Sequence, residues 1–355
     1  MKNTSLLTYA AAHFLVDFAC GYILYAMYAE GEITAASAAS LFMLYNLLAF
    51  GTQFLFGAVS DKLRSNGRIF AVIGIIITAF GLFVGSENTD LTVCLIGLGN
   101  ACFHVGGGTD ALCEGFGMTR AGIFVSTGAL GIALGSKFGE KLLFPKAYYI
   151  IMLVFMAVAV WTFCQGDRKE ITIPEPSEKE KNTINAKTIL SATLPALLVL
   201  IFAVLIRSYA GFAATRPESD STLLLLVLAA ASFAGKFAGG ILADLLGARR
   251  VGTASLLLCV PLFYLGAESN LFFLAATFFF NIAMPITLVS AARKLPCHEG
   301  FVFGLTTLAL FVGYLINTLI PIEASTSAIL IPLLALIAAV SVFVTTDDVR
   351  VPPEK

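Results

Sequence analysis

The sequence predicts an all-α membrane protein with twelve transmembrane helices, arranged as two pseudo-symmetric six-helix bundles. Three observations lead to this prediction: the composition is strongly apolar, the apolar residues form twelve long segments, and the second half of the chain repeats motifs of the first. Of the 355 residues, 58% are hydrophobic and 13% are charged, whereas soluble domains are about 45–50% apolar and about 25% charged. This composition excludes a water-soluble enzyme, and the net charge of −1 excludes a basic surface for nucleic acid.

Each predicted span is 19 to 25 residues long, close to the roughly 20 residues that a helix needs to cross hydrocarbon. The first span is too long for a signal peptide and lacks a small-residue cleavage site, so we expect it to be retained. In chain order the spans cover residues 5–28, 38–59, 68–86, 91–113, 121–139, 146–164, 188–212, 221–243, 249–267, 270–290, 300–319 and 325–344.

One segment interrupts this pattern. Residues 165–187 are charged, contain proline and are too polar to pack a core. We therefore predict an N-terminal six-helix bundle over residues 1–164, a linker over 165–187, and a C-terminal six-helix bundle with a short tail over 188–355.

The two predicted bundles share sequence motifs in the same order. The segment Gly57–Asp61 recurs as Gly240–Asp244, 183 residues later, and basic residues follow both copies. Asn100 recurs as Asn281 at an offset of 181, and the glycines of the fifth span recur in the eleventh at an offset of 178. Three matches with nearly equal offsets indicate a duplicated six-helix unit.

Lysine and arginine residues in the loops predict the orientation. With the N-terminus in the cytoplasm, sixteen of these residues lie inside and four outside. We therefore expect a multi-pass protein of the cell membrane with both termini in the cytoplasm, although Lys137, Lys141 and Lys146 lie on the contrary side.

The chain resembles the major facilitator superfamily in three features. These are its twelve spans, its central linker, and the motif G-x-x-x-D followed by basic residues after the second and eighth spans. Within this superfamily, several segments resemble the fosmidomycin-resistance branch. These are His13-Phe-x-x-Asp17, Tyr45-Asn46 with Gln53 and Asp61-Lys62, Gly97-Leu-Gly99 with Phe103-His104, and Arg207-Ser208. The resemblance implies a secondary active transporter that moves a small organic solute by alternating access, driven by protons, and we expect efflux by antiport. An uptake symporter for an organic anion is the alternative.

Ionisable groups inside spans are costly and therefore indicate function. Asp17 lies midway along the first span, with His13 one helical turn away on the same face. In the repeat, Arg207 of the seventh span is opposite Asp17. We predict Asp17 as a proton-coupling group and His13 and Arg207 as substrate ligands. The alternatives are that His13 and Asp17 form a polar pair that only joins helices, and that the Arg207 side chain extends to the outer lipid headgroups.

The fourth span carries a second polar face. Asn100 and His104 are four residues apart, and the pKa of a histidine lies close to physiological pH. We predict His104 as a second proton-coupling group and as a substrate ligand, together with Asn100 and its repeat counterpart Asn281. A histidine that only bonds a backbone carbonyl is the alternative.

The resemblance implies a gate, since in that superfamily the loops after the second and eighth spans hold the cytoplasmic side closed in one conformation. Charge pairs at a helix end suit this use. Lys236 in the eighth span is a candidate for the same gate or for contact with an anion. Alternatively, its side chain extends to the cytoplasmic membrane surface. The predicted gating residues are Gly57, Asp61, Lys62, Arg64, Lys236, Gly240, Asp244, Arg249 and Arg250.

Other functional classes are less favoured. His13, Asp17 and His104 could bind a transported metal cation, but such sites usually hold more carboxylates or a denser His/Cys set. The seven cysteines form no CxxC pair or metal-site cluster, and no catalytic motif occurs in a suitable context. We therefore expect no enzyme activity, no cofactor and no resident metal. The expected partners are a small-molecule substrate, protons and the lipid bilayer, with the protein as a monomer.

The orientation is testable with single cysteines placed in residues 165–187 and at both termini. We expect them to react with impermeant thiol reagents only in inside-out vesicles, because the loop charges place them in the cytoplasm. Labelling of the linker from outside intact cells would contradict both the orientation and the repeat alignment.

Overall fold

A computed structural model of the chain describes residues 3–63, 66–113, 117–164, 186–217 and 221–348. Within these residues the fold is all-helical, and twelve helices are long and apolar enough to cross a membrane, which confirms the predicted fold class. The helices are α1 (Asn3–Ala29), α2 (Ala35–Lys62), α3 (Gly67–Val84), α4 (Thr89–Cys113), α5 (Met118–Glu140), α6 (Lys146–Phe163), α7 (Ala186–Ala213), α8 (Thr222–Leu246), α9 (Ala248–Gly266), α10 (Asn270–Lys294), α11 (Glu299–Leu319) and α12 (Ala324–Thr345).

Almost all of the predicted linker, residues 165–185, lies outside the described residues. We refer to α1–α6 as the N-terminal half and to α7–α12 as the C-terminal half.

The helix α2 differs from a regular helix at its centre. Residues Leu47–Gly51 form a π-helical turn. Polar side chains bond the backbone of this region: Thr52 Oγ1 donates to the Leu48 carbonyl at 2.6 Å, and Gln53 Nε2 donates to the Ala49 carbonyl at 2.6 Å. Side-chain donors of this kind compensate carbonyl groups that a widened turn exposes.

The two halves use the same pairing scheme. In the N-terminal half, α1 packs on α5, and α3 packs on both α4 and α6. In the C-terminal half, α7 packs on α11, and α9 packs on both α10 and α12. The contacts between the halves are also equivalent, since α2 packs on α11 and α8 packs on α5. The duplicated sequence therefore folds into two copies of one arrangement.

Glycines allow the halves to approach closely at the face of the bundle where α1 begins and α12 ends, which we call the terminal face. A Cβ atom on Gly57 of α2 would collide with the Gly300 carbonyl oxygen of α11. A Cβ atom on Gly240 of α8 would collide with the Met118 carbonyl oxygen of α5. Both obstacles are backbone atoms, which cannot move aside without moving a helix. The terminal face is thus closed by two backbone contacts that only glycine permits.

This packing predicts the effect of Gly57→Ala. The added methyl group has no space while the halves are in contact, so we expect the variant to favour a conformation in which the terminal face is open. Spin labels at Leu63→Cys, directly after α2, and Leu245→Cys of α8, both exposed positions at this face, measure the separation. The labels should be introduced in a Cys297→Ser background, because Cys297 is an exposed free thiol.

Gly211→Ala is the matched control. It is also a helical glycine, but its Cβ would meet only a Phe280 ring carbon at 3.8 Å, an ordinary contact. We expect this variant to keep the wild-type label separation. An unchanged distance distribution in Gly57→Ala would contradict the assigned role of the close contact.

Candidate functional site

A cluster of polar side chains lies inside the N-terminal half, where α1 and α4 are the most deeply buried spans. His13 and Asp17 are one turn apart on α1, and Asn100 and His104 are one turn apart on α4, so each pair lies on one helix face. All four side chains are buried. We call His13, Asp17, Asn100 and His104 the central cluster.

Short polar contacts connect the members of the central cluster. Asn100 Nδ2 donates to Asp17 Oδ1 at 2.7 Å. His13 Nε2 lies 3.3 Å from Asp17 Oδ2, and His104 Nε2 lies 3.7 Å from Asp17 Oδ1. The two imidazoles meet directly, with 2.8 Å between their Nε2 atoms. The sequence predicted two one-turn pairs, on α1 and on α4, and the structure brings both pairs into one site.

The far side of each imidazole is held by a backbone carbonyl. His13 Nδ1 is 2.6 Å from the Phe124 carbonyl oxygen of α5, and His104 Nδ1 is 2.9 Å from the Asn100 carbonyl oxygen. The Phe124 ring stacks on the His13 ring at a centroid distance of 4.7 Å. These contacts fix the orientation of both rings.

The distances between the donor atoms test whether the central cluster suits a metal ion. One donor atom from each of His13, Asp17 and His104 lies within 4.8 Å of the others. Two nitrogen ligands of a tetrahedral zinc ion, with bonds of about 2.0–2.1 Å, lie about 3.3 Å apart. The two Nε2 atoms are only 2.8 Å apart, which is a hydrogen-bond distance. The present arrangement fits a proton between the rings better than it fits a metal ion.

Arg207 of α7 is buried in the C-terminal half, with 7% of its surface exposed, and does not extend to the membrane surface. Its Nη2 atom donates to the Phe280 carbonyl at 2.6 Å, and its Nη1 atom lies 3.4 Å from Thr287 Oγ1. The guanidinium also lies over the Phe280 ring, 5.0 Å from the centroid. Its Nε atom has no hydrogen-bond partner. Among the described residues, no carboxylate forms an ion pair with Arg207.

Lys236 of α8 is the second cation of this region. Its charge lies close enough to interact with both Asp17 of the N-terminal half and Arg207 of its own half. Within the described ranges, no side chain forms a hydrogen bond or ion pair with it. The structure thus places the central cluster on one side of the boundary between the halves and two cations without a paired carboxylate on the other.

Asn281 of α10 lies on the C-terminal side, as the repeat alignment predicts, but contacts its own half. Its Nδ2 atom donates to the Thr277 carbonyl at 2.8 Å and lies 3.4 Å from Ser232 Oγ of α8. Its side chain is only partly buried. Asn281 therefore joins α10 to α8 and does not contact the central cluster.

Two aspartates close the terminal face by capping helices of the opposite half. Asp61 at the end of α2 accepts hydrogen bonds from the backbone amides of Gly300 at 3.1 Å and Phe301 at 2.7 Å, where α11 begins. A carboxylate is favourable at a helix N-terminus because the first amide groups have no partners within the helix. The sequence predicted that this residue is part of a gate, but not what it binds.

Asp244 at the end of α8 makes the equivalent contact. It accepts hydrogen bonds from the backbone amides of Met118 at 3.0 Å and Thr119 at 2.7 Å, where α5 begins. Sequence reasoning missed the amide partners of both aspartates. The contacts make Met118 the counterpart of Gly300, an offset of 182 residues that agrees with the 183 between Gly57 and Gly240. The predicted alignment of the fifth and eleventh spans, at 178, is therefore about one helical turn out of register.

The basic residues of the predicted gate occupy different places. Lys62 is exposed, and Arg64 lies outside the described residues. Arg249 Nε donates to the Thr346 carbonyl at 2.7 Å, and Arg250 Nε lies 3.6 Å from Asp348 Oδ2, so both contact the chain beyond α12. The neighbouring Asp347 has its pKa lowered, mainly by a hydrogen bond from Lys294. These arginines therefore hold two ends of the C-terminal half together and do not connect the halves.

No protein-family model and no curated protein sequence matches the chain. Solved structures do match. A variant of the E. coli fucose:proton symporter FucP is similar with a TM-score of 0.74 and 12% identity, over 96% of this chain and 98% of that one. FucP in the outward conformation has a TM-score of 0.68, also with 12% identity, over 97% and 100% of the two chains. The human organic anion transporter MFSD10 (TETRAN) has a TM-score of 0.67 and 14% identity, over 96% and 100%.

These neighbours have the fold of major facilitator superfamily transporters, and this chain shares that fold. Together with the twelve apolar helices, the likeness supports a multi-pass membrane protein. At identities of 12 to 14%, the comparison extends to the fold and not to a substrate.

The capping contacts predict that Asp61→Asn and Asp244→Asn weaken closure of the terminal face. Each substitution removes the carboxylate charge and one acceptor, at a cost of about 1 kcal/mol, which is a shift of about fivefold in the population of open and closed states. The two sites lie in separate helix pairs, so the double variant should shift the population by about the product of the single effects. The Leu63–Leu245 label distances measure these populations.

Ligand affinity provides the control for this prediction. Neither aspartate contacts the central cluster, so binding of a ligand found by thermal-shift screening should change by no more than a few fold. Loss of binding by orders of magnitude, with unchanged label distances, would show that these residues bind substrate and do not form a gate.

Proposed function

We propose that this protein is a proton-coupled secondary transporter that moves a small organic solute across the membrane by alternating access. The observation that carries the proposal is the central cluster, in which a buried carboxylate lies beside two imidazoles and interacts with Lys236 of the other half. Ionisable groups in this position are costly unless they are used, and a proton is the simplest cargo for them. The fold, shared with a fucose:proton symporter, supports the same conclusion.

The proposed substrate site lies between the halves. We assign substrate contacts to His13, Asn100, His104, Arg207 and Asn281, and the proton-coupling role to Asp17 and His104. Arg207 stays charged at any biological pH, and its Nε atom has no partner, so an anionic group of the substrate would complete its contacts. This favours an organic acid or a phosphonate as the substrate.

Two modes of coupling follow from the charges. Efflux by antiport, the mode expected from the sequence, requires that substrate and proton compete for the cluster. Symport of an organic anion requires that protonation of the cluster and anion binding at Arg207 assist each other, as opposite charges do. Among the described residues, Arg207 and Lys236 have no paired carboxylate, which favours an anionic substrate. Because binding of an anion and binding of a proton assist each other, symport is the second candidate. MFSD10, a structural neighbour, is an organic anion transporter.

We assign the terminal face to the cytoplasm on the basis of the loop charges, with the protein a monomer in the cell membrane. The contacts of Asp61 and Asp244 then close the cytoplasmic side, so this conformation is outward-facing. Gly57, Gly240, Lys62, Arg64 and Lys236 complete the proposed gate. Arg249 and Arg250, which the sequence also assigned to it, bond the chain after α12 instead. The moving bodies are the predicted bundles, residues 1–164 and 188–355.

The test is transport in proteoliposomes loaded with a pH-sensitive dye. A thermal-shift screen against phosphonates, organic acids, sugars and hydrophobic drugs first identifies a ligand, because binding to the folded state raises apparent stability. A proton gradient imposed in each direction then drives accumulation of that ligand. Movement against the proton flow indicates antiport, and movement with it indicates symport.

Asp17→Asn should abolish proton-driven accumulation but retain binding and exchange of substrate, because the amide keeps the shape of the carboxyl group without its charge. Asp90→Asn makes the same chemical change at an exposed acid and should transport as the wild type does. If Asp17→Asn accumulates substrate with the wild-type pH dependence, the proton-coupling role of Asp17 is wrong. If the wild-type protein moves no ligand under either gradient, the proposed function is wrong.

A matched pair of Arg207 variants tests the anion. Arg207→Ala should weaken binding of an anionic ligand by tenfold or more and change binding of a neutral ligand much less. Arg207→Lys keeps the charge without the planar geometry, so it should bind the anion with intermediate affinity. Equal loss for anionic and neutral ligands would contradict a substrate contact at Arg207.

A further inference from the structure

We infer that the coupling proton is held between the Nε2 atoms of His13 and His104, and that Asp17 is the fixed counter-ion of this pair. The role in transport rests on the proposed function, but the position of the proton rests on the geometry alone. The two imidazole rings together, and not the Asp17 carboxylate, then carry the coupling proton.

The outer nitrogens of both rings must carry protons. A backbone carbonyl oxygen can only accept a hydrogen bond. His13 Nδ1 faces the Phe124 carbonyl at 2.6 Å, and His104 Nδ1 faces the Asn100 carbonyl at 2.9 Å. Each Nδ1 is therefore a donor, and each ring already has the one proton that a neutral imidazole holds.

The inner nitrogens then require one proton more. If both rings were neutral, two Nε2 lone pairs would face each other at 2.8 Å, which is repulsive. A third proton between them turns this contact into a hydrogen bond in which one Nε2 donates and the other accepts. The ring pair then carries one positive charge, shared over two imidazoles.

Asp17 is placed to balance that charge. Its carboxylate oxygens lie 3.3 Å from His13 Nε2 and 3.7 Å from His104 Nε2, and Asn100 donates to Oδ1 at 2.7 Å. Moving the proton to Asp17 would leave the two ring nitrogens opposed without a proton. An ionised Asp17 with a protonated ring pair satisfies every contact, and the cluster as a whole is neutral.

The charged groups around the His13–His104 pair determine how its proton affinity changes when the halves move. Asp17 of α1 interacts with the rings from their own half, and Cys20 and Tyr45 interact with Asp17, whereas Lys236 of α8 acts from the other half. Lys236 opposes the positive charge of the pair. Because opening of the terminal face moves α8 relative to α1 and α4, it changes the distance from Lys236 to the pair and hence its proton affinity. One proton enters and leaves the Nε2 contact, and the cluster charge alternates between zero and −1.

Nitrogen NMR of ring-labelled histidine tests the proton count directly. The chain contains three histidines, His13, His104 and the exposed His298. His298→Gln removes the third signal and provides the assignment. The protein is measured in lipid nanodiscs with a metal chelator present, at about pH 7.5, where an ordinary imidazole is about 90% neutral.

The expected spectrum shows both Nδ1 atoms protonated and a third proton shared by the two Nε2 atoms. In Asp17→Asn the third proton should be lost at this pH, because its counter-ion is gone, and proton affinity should fall at least tenfold. Asp90→Asn should keep the wild-type spectrum.

Two results would overturn the inference. The first is a pair of neutral rings with unprotonated Nε2 atoms, together with an infrared band of a protonated carboxylic acid that Asp17→Asn removes. The second is an Asp17→Asn protein whose rings keep all three protons. Neither measurement involves transport, so failure here is distinguishable from failure of the proposed function, which the proteoliposome assay decides.

Discussion

The absence of water in the hydrocarbon core is the constraint on which the rest of this structure depends. Backbone polar groups must be satisfied within each span, so every described span is a helix. The same rule applies to side chains. Thr52 and Gln53 donate to carbonyls around the π-helical turn of α2, and Asn281 donates to Thr277 one turn earlier. The Nε atom of Arg207 is a buried donor that no described residue satisfies in this way.

The charges are divided between the halves in a way that suits alternating access. The acid and the imidazoles lie on α1 and α4, whereas the cations lie on α7 and α8. Within the N-terminal half the distances between cluster members are short and set by helix packing. The distances to Arg207 and Lys236 cross the boundary between the halves. Under the proposed function, a rocking motion would leave the cluster intact and change only its electrostatic surroundings, as coupling between a proton and a solute requires.

Duplication of the six-helix unit explains the closed terminal face. One sequence element, a glycine followed four residues later by an aspartate, occurs at the ends of α2 and α8 and makes the same two contacts in each place. The glycine lets backbones touch, and the aspartate binds the first amides of a helix in the other half. Under the proposed gating role, the two copies together would stabilise the closed face, and each contact alone would be weak enough to break.

The sequence by itself determined the twelve spans, the repeat and the buried ionisable residues, because hydropathy over about 20 residues and the cost of a buried charge are local properties. It also indicated the one-turn pairing of His13 with Asp17 and of Asn100 with His104, since helical spacing is local too. Only the tertiary structure decided that the two pairs meet, because the contact depends on the rotation of α1 against α4. It likewise decided that Asp61 and Asp244 bind helix amides, and that Arg249 and Arg250 contact the chain after α12. These partners are separated from each other by about a hundred residues or more, and no local pattern encodes which helix ends come together.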